Sequence, residues 1–139
     1  MRVLGLDVGD KNIGLAISDE TRTIAFGLDV IKKTADLKHV IELESIVKEK
    51  NITKIVVGMP INMDGTLGLQ GKKTTTFVNQ LKKIFEIPII TWDERFTTKI
   101  AEKALIEADI SRKKRKRLID KVSAINILQN YLDYQKAVD

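Results

Sequence analysis

The chain has 139 residues, 43% of them hydrophobic and 31% charged, a composition that suits a single soluble globular domain over residues 1–139. It contains no cysteine and one histidine, His39, which excludes disulfide frameworks, cysteine nucleophiles, thiolate zinc sites and multi-histidine metal sites. The net charge is +5, but six consecutive basic residues, Arg112, Lys113, Lys114, Arg115, Lys116 and Arg117, account for all of the excess; the remainder has 18 basic residues against 19 acidic ones.

The chain opens with a short apolar strand over 2–6, and a second strand follows over 13–18 after the turn Asp7-Val8-Gly9-Asp10. The turn is short enough to make the pair an antiparallel hairpin. A weaker third strand is expected over 23–31. Leu37, Val40, Leu43 and Val47 recur at helical spacing and predict a helix over 36–50. A β-branched run over 54–57 predicts a strand, and the four glycines and one proline of 58–71 read as a loop. A second helix is expected over 72–85, a buried strand over 87–92 and a third helix over 97–108. Ser111 is placed to cap a last helix reaching about residue 134. A hairpin followed by alternating helices and strands gives an α/β protein, a mixed sheet with helices on its faces. Asp7 interrupts the apolar start, leaving no signal-peptide core, and no stretch approaches the roughly 18 apolar residues of a membrane span. The expected location is the cytoplasm, with no membrane partner.

The residues with chemical potential are carboxylates. Asp7 and Glu94 each follow an apolar strand, and functional groups in open α/β sheets gather at the carboxyl ends of strands. If the two strands are parallel neighbours, the two carboxylates repel, and either one stays protonated or a cation sits between them. Taken singly, each could equally end a strand. Asp120 lies in the last helix among Leu118, Ile119, Val122 and Ile125, one turn before the small residues Ser123 and Ala124. Small residues let a helix approach a sheet closely, and an acid in so apolar a stretch needs a partner; the plainer alternative is an exposed acid paired with Lys116 or Lys121. Three carboxylates from two strands and a helix form an oxygen-only cluster suited to Mg2+ or Mn2+, and such clusters hold two ions in phosphodiester-cleaving enzymes.

Around this cluster, Gly9 permits a tight turn and close approach of a phosphate, and Lys11 can reach that phosphate. Asn62 sits in a loop after a buried strand and can contact substrate. Arg95 can orient Glu94 or meet a phosphate. The basic run immediately precedes Asp120, which favours phosphate binding over a merely solvated face. Aromatic residues make up only 5% of the chain, so backbone and shape recognition is expected rather than base stacking. Asp10, Asp19 and Asp64 read as turn residues, His39 as a surface residue, and Trp92 and Phe96 as packing residues.

Five motifs occur in order: Leu6-Asp7-Val8-Gly9, Lys11-x-x-Gly14-x-Ala16-x-Ser18-Asp19, Val56-Val57-Gly58-Met59-Pro60-x-Asn62-Met63-Asp64-Gly65, Asp93-Glu94-Arg95-Phe96-Thr97-Thr98 and Ile119-Asp120-Lys121-x-Ser123-Ala124. With them the chain resembles the YqgF family, also called RuvX, along nearly its whole length. Its members are described as Holliday junction resolvases and as nucleases maturing the 5′ end of pre-16S ribosomal RNA. The resemblance implies a ribonuclease H-like fold with a five-stranded mixed sheet, the second strand antiparallel to the rest and helices on both faces. It places the family's acidic residues on Asp7, Glu94 and Asp120. Many relatives carry threonine where Asp10 stands and alanine where Ser123 stands. Many ribonuclease H-like nucleases use four carboxylates, and three are assigned here. The expected function is metal-dependent cleavage of structured nucleic acid, with ribosomal precursor RNA as substrate. A four-way DNA junction is the alternative, and a non-catalytic RNA-binding assembly factor a further one. An ATP-binding fold of the actin and sugar-kinase type shares the glycine hairpin but needs two domains. The sequence leaves monomer and homodimer open.

Overall fold

A computed structural model describes residues 1–94 and 112–138, with the backbone alone over 112–121. The expected helix over 97–108, Phe96, Arg95 and the capping Ser111 lie outside the described residues, as do the side chains of the basic run and of Asp120. The elements follow in the order β1 (Arg2–Val8), β2 (Asn12–Ser18), β3 (Ala25–Lys32), α1 (Lys38–Glu49), β4 (Ile52–Met59), α2 (Leu69–Ile84), β5 (Ile89–Asp93) and α3 (Arg112–Val138). The five strands make one sheet in the order β3-β2-β1-β4-β5. β2 pairs antiparallel with both β1 and β3, while β1, β4 and β5 run parallel. The second strand alone is therefore reversed, as the resemblance implies.

Alternation along the strands builds two cores. Leu4, Leu6 and Val8 of β1 join Ile13, Leu15 and Ile17 of β2 and Ile55 and Val57 of β4 on one face, beneath Leu43 of α1 and Phe77, Val78 and Leu81 of α2. Each such side chain contributes roughly 1.5–3 kcal/mol by leaving water. The opposite face carries the smaller residues Val3, Ala16 and Val56, covered by Ala124, Ile127, Leu128, Tyr131 and Leu132 of α3. Gly5 lies on that face as well. A Cβ there would stand 2.8 Å from the Cβ of Leu128 and 3.4 Å from the carbonyl oxygen of Ala124, so α3 rests directly on the strand backbone. Among the described residues, no helix is long and apolar enough to cross a membrane.

Several boundaries differ from the sequence-based expectation, each for a local reason. β1 continues two residues past Leu6, so Asp7 sits inside the strand and not beyond its end. β4 runs to Met59, and Gly58 belongs to the strand and not to the loop. α2 begins at Leu69 because Gly71, read as part of the loop, is the helix's contact with it: a Cβ there would lie 2.9 Å from the Pro60 carbonyl oxygen. α1 starts at Lys38 instead of residue 36, since Leu37 takes a left-handed conformation (φ 62°) and Asp36 bonds the Thr34 hydroxyl. His39, expected at the surface, is buried at 3% exposure. Its Nδ1 accepts a bond from the Thr34 amide and its ring stacks on Phe77.

Candidate active site

The carboxyl ends of β1, β4 and β5 lie along one end of the sheet. β1 and β5 are not neighbours, contrary to the condition set from sequence, because β4 separates them. The two carboxylates nonetheless meet electrostatically, and the reason is Gly58. In the parallel β4–β5 register Gly58 pairs with Trp92, and the Glu94 amide donates to the Met59 carbonyl oxygen at 3.2 Å, so the chain holds Glu94 against the end of β4. A Cβ on Gly58 would collide with Glu94 Oε2 and with Ile127 Cδ1. The missing side chain is the space through which Glu94 reaches back over β4. Asp7, half-buried, pairs in register with Gly14 of β2, so no side chain stands opposite it on the neighbouring strand.

The environment of Glu94 is strongly perturbed. Burial first, then the charges of Asp7 and Asp93, push its carboxyl from an ordinary value of 4.5 up to about 8. Its Oε2 is buried with no hydrogen-bond partner among the described residues. A buried carboxylate oxygen without a donor, beside two further carboxylates, is the donor set a hard cation satisfies. With oxygen ligands throughout and no cysteine in the chain, Mg2+ or Mn2+ fits these residues better than zinc or copper.

The third proposed ligand is placed by the helix register. α3 lays Ala124 and Leu128 on Gly5, and Ile127 against Gly58 and Glu94, while Tyr131 and Leu132 reach the Val3 end of β1. The helix therefore runs opposite to β1. The backbone of Asp120, one turn before Ala124, lies toward the end of the sheet that carries Asp7 and Glu94. Among the described residues no three acidic or histidine side chains are grouped to hold a metal ion, and the Asp120 side chain is not among them.

The remaining predicted residues flank this end. The Gly9 amide donates to the Asn12 carbonyl oxygen at 2.8 Å, closing the hairpin, and Lys11 is exposed at its tip, its carbonyl accepting from the Lys33 amide at 2.8 Å. Asp10 pairs with Lys73 of α2 at 3.1 Å. Asn62 is exposed, and its side chain and backbone bond Thr66 within the loop over 60–68. Asp64 accepts from the Thr66 hydroxyl and amide, which holds its carboxyl below the usual range, and Asp19 does the same in the β2–β3 turn. Both are turn residues, as read from sequence. Two contributors were not legible there. Gly58 reads as an ordinary strand-to-loop glycine, and Gln70, whose Nε2 donates to the Val8 carbonyl oxygen at 3.0 Å, ties α2 to the end of β1. Only the small residue directly after Val56-Val57 hinted at the first.

The sequence matches the RuvX family, described as Holliday junction resolvase, over residues 1–134. A protein of Thermoanaerobacter pseudethanolicus named "Putative pre-16S rRNA nuclease" is 57% identical over 137 residues, covering 98% of this chain and 99% of that protein. One of the same name from Clostridioides difficile is 49% identical over 134 residues, with 96% and 95% covered. Among solved structures, T. thermophilus RuvC in complex with a Holliday junction substrate superposes with a TM-score of 0.60 at 16% identity, covering 98% of this chain and 96% of that one. The Fowlpox virus Holliday junction resolvase gives 0.61 at 14% identity, covering 96% and 99%. At these identities the two structures speak to the fold, a ribonuclease H-like α/β sheet.

Proposed function

The chain belongs to the RuvX family, and from that premise we propose that it is a divalent-metal-dependent endonuclease that matures the 5′ end of pre-16S ribosomal RNA. The observation that carries the reading is the buried Glu94 Oε2, without a hydrogen-bond partner among the described residues, under the charge of Asp7 at the carboxyl end of the sheet. Asp7, Glu94 and Asp120 would hold Mg2+ or Mn2+, two ions in all. When bound, the metal supplies positive charge for the phosphodiester oxygens and lowers the pKa of an attacking water. The chain's own residues do the rest. Glu94, with its carboxyl raised to about 8, holds a proton near neutral pH and would give it up on ligating a cation. Gly58 keeps the path between the carboxylates open. Gly9, Lys11, Asn62 and Arg95 meet the substrate around the cut, and the run Arg112, Lys113, Lys114, Arg115, Lys116 and Arg117 holds its backbone phosphates. The residues proposed for the site all fall within one domain, and a ribosomal precursor as substrate fits a cytoplasmic location.

The test is cleavage of labelled precursor RNA with magnesium or manganese, beside a four-way DNA junction. The wild-type chain should cut the RNA only with metal, and Asp7→Asn should lower the rate by at least about 100-fold while leaving folding and RNA binding intact. Normal cleavage by Asp7→Asn removes the assignment. Paired cuts in the junction alone would transfer the same site to DNA resolution, and binding of RNA with no cut in either would make the chain an assembly factor.

A further inference from the structure

A second concave site lies at the opposite end of the sheet, where β1 and β4 begin. Val3 marks it, four residues and about 13 Å along β1 from Asp7. The cavity has a volume of about 190 Å³, and its lining includes Arg22, Lys54 and Lys136 from three separate elements, together with Thr21, Thr53 and Tyr131. Among the described residues, no carboxylate lines it. Among the described residues, none of the three cations is ion-paired; the pairs there are Lys38–Asp36 and Lys73–Asp10. Glu20, two residues before Arg22, does not line the cavity, and two other nearby acids have hydrogen-bond partners of their own. Asp19 accepts from the Thr21 hydroxyl and from the Thr23 and Ile24 amides, and Asp133 accepts from Gln129.

The hydrogen-bonding chemistry is one-sided. Lys54 is half-buried and donates to the Tyr131 hydroxyl oxygen at 2.9 Å, its ammonium lying 5.5 Å from the centre of that ring. A hydroxyl that accepts this bond keeps its own proton to donate. Lys136 donates to the Thr23 hydroxyl. Arg22 adds five N–H donors from a left-handed backbone position (φ 58°), where glycine or asparagine would be less strained. Arg22 and Lys136 are exposed and Lys54 is half-buried, so three positive charges converge on one small, donor-rich cavity that opens to water, an arrangement that attracts an anion. The volume is below the roughly 300–1,000 Å³ of pockets that enclose drug-sized ligands, and it suits one tetrahedral anion with its water.

We propose that this cavity binds a phosphate group, held by Arg22, Lys54, Lys136 and the Tyr131 hydroxyl, as a site separate from the carboxylate end. The phosphate comes either from a free phosphate compound or from the backbone of a nucleic acid reaching around the sheet edge. The test uses the isotope-labelled full chain without divalent metal, titrated with inorganic phosphate and, separately, with a short RNA duplex, while the amide resonances of Arg22, Thr53, Lys54 and Lys136 are followed. Saturable shifts confined to this region with inorganic phosphate are expected. They should be lost in Arg22→Asn, which keeps the left-handed turn, and in Lys54→Met, which keeps the apolar stem. If the source is a nucleic acid backbone, the duplex shifts the same amides, and each variant reduces the salt dependence of RNA affinity by about 0.9 per lost contact. An unchanged salt slope of RNA affinity in variants that have lost the phosphate shifts assigns the site to a free phosphate compound. The proposal is overturned if neither probe moves these amides, or if both variants respond as the wild type does. Because no cleavage is measured, this result is independent of the nuclease assignment.

Discussion

Asp7 stands one strand away from Glu94, and its charge adds to burial in holding the Glu94 carboxyl protonated up to about pH 8. The folded chain thus keeps a proton that the unfolded chain releases at about 4.5. Between those values the native state binds more protons than the unfolded state, so stability falls as pH rises, by at most about 1.4 kcal/mol per unit from this group. Thermal unfolding followed from pH 5 to 8 should show this decline. Magnesium should reverse it at pH 8 and do little at pH 5, because a cation replaces the proton. Glu94→Gln should flatten the decline and abolish the magnesium effect. A magnesium effect that is the same at both pH values would show that Glu94 is not a ligand.

His39 acts in the opposite direction. Burial, and then the charge of Lys33, lower its pKa from 6.5, and its Nδ1 accepts the Thr34 amide and so must be unprotonated. The unfolded chain binds the proton more readily, so stability is full above about 6.5 and is lost as pH falls below it. His39→Asn, whose side-chain oxygen can still accept from the Thr34 amide, should be less stable at pH 7.5 through lost packing on Phe77. It should also lose less on acidification than the wild type. Equal acid sensitivity in the two proteins, read by urea denaturation at pH 5.5 and 7.5, would remove His39 from the account.

Two glycines let α3 and Glu94 lie directly against the sheet. Gly5→Ala would press on Leu128 and the Ala124 carbonyl, and Gly58→Ala on Ile127 and Glu94 Oε2. Overpacking of this kind costs about 1–3 kcal/mol. Both variants should therefore unfold at lower urea. At temperatures where each remains folded, Gly58→Ala should also weaken magnesium dependence, because its new methyl displaces Glu94 itself. Gly5→Ala shifts the helix that carries Asp120 and should lower the cleavage rate with less effect on metal requirement. A stable Gly58→Ala chain with normal metal titration would contradict the geometry of the site.

The fold class was legible because it depends on short, repeated patterns. Val3, Leu4 and Leu6 mark a short apolar strand, and Leu37, Val40, Leu43 and Val47 step at helical spacing. What the sequence hid was decided by tertiary contact. Gly58 and Gly71 look like loop residues until the backbone of a neighbour fills the space a side chain would need. His39 falls among the polar positions of the helical pattern, but its place on α1 turns it onto Phe77 of α2, a contact 38 residues away that no local pattern records. Strand order was likewise invisible: β4 enters between β1 and β5 although it follows three other strands in the chain, and the approach of Asp7 to Glu94 depends on that insertion.

Two buried serines lead to opposite expectations and so test the polar accounting of the α3 face. Ser18, 2% exposed, accepts from the Val3 amide at 2.8 Å and donates to the Asp19 carbonyl oxygen at 2.9 Å. Ser18→Ala would leave the Val3 amide buried without a partner, at a cost of about 1–3 kcal/mol. Ser123, 0% exposed and one turn beyond Asp120, has no partner for its hydroxyl among the described residues. Its alanine variant keeps the helix and removes a buried hydroxyl that has no bond among the described residues, so it should be as stable as the wild type or more stable by up to about 1 kcal/mol. Urea unfolding of the two variants side by side checks both. A clear loss of stability in Ser123→Ala would mean that the hydroxyl is bonded, with Asp120 or the residues around it as the place to look for the partner, and would tie this serine to the carboxylate cluster.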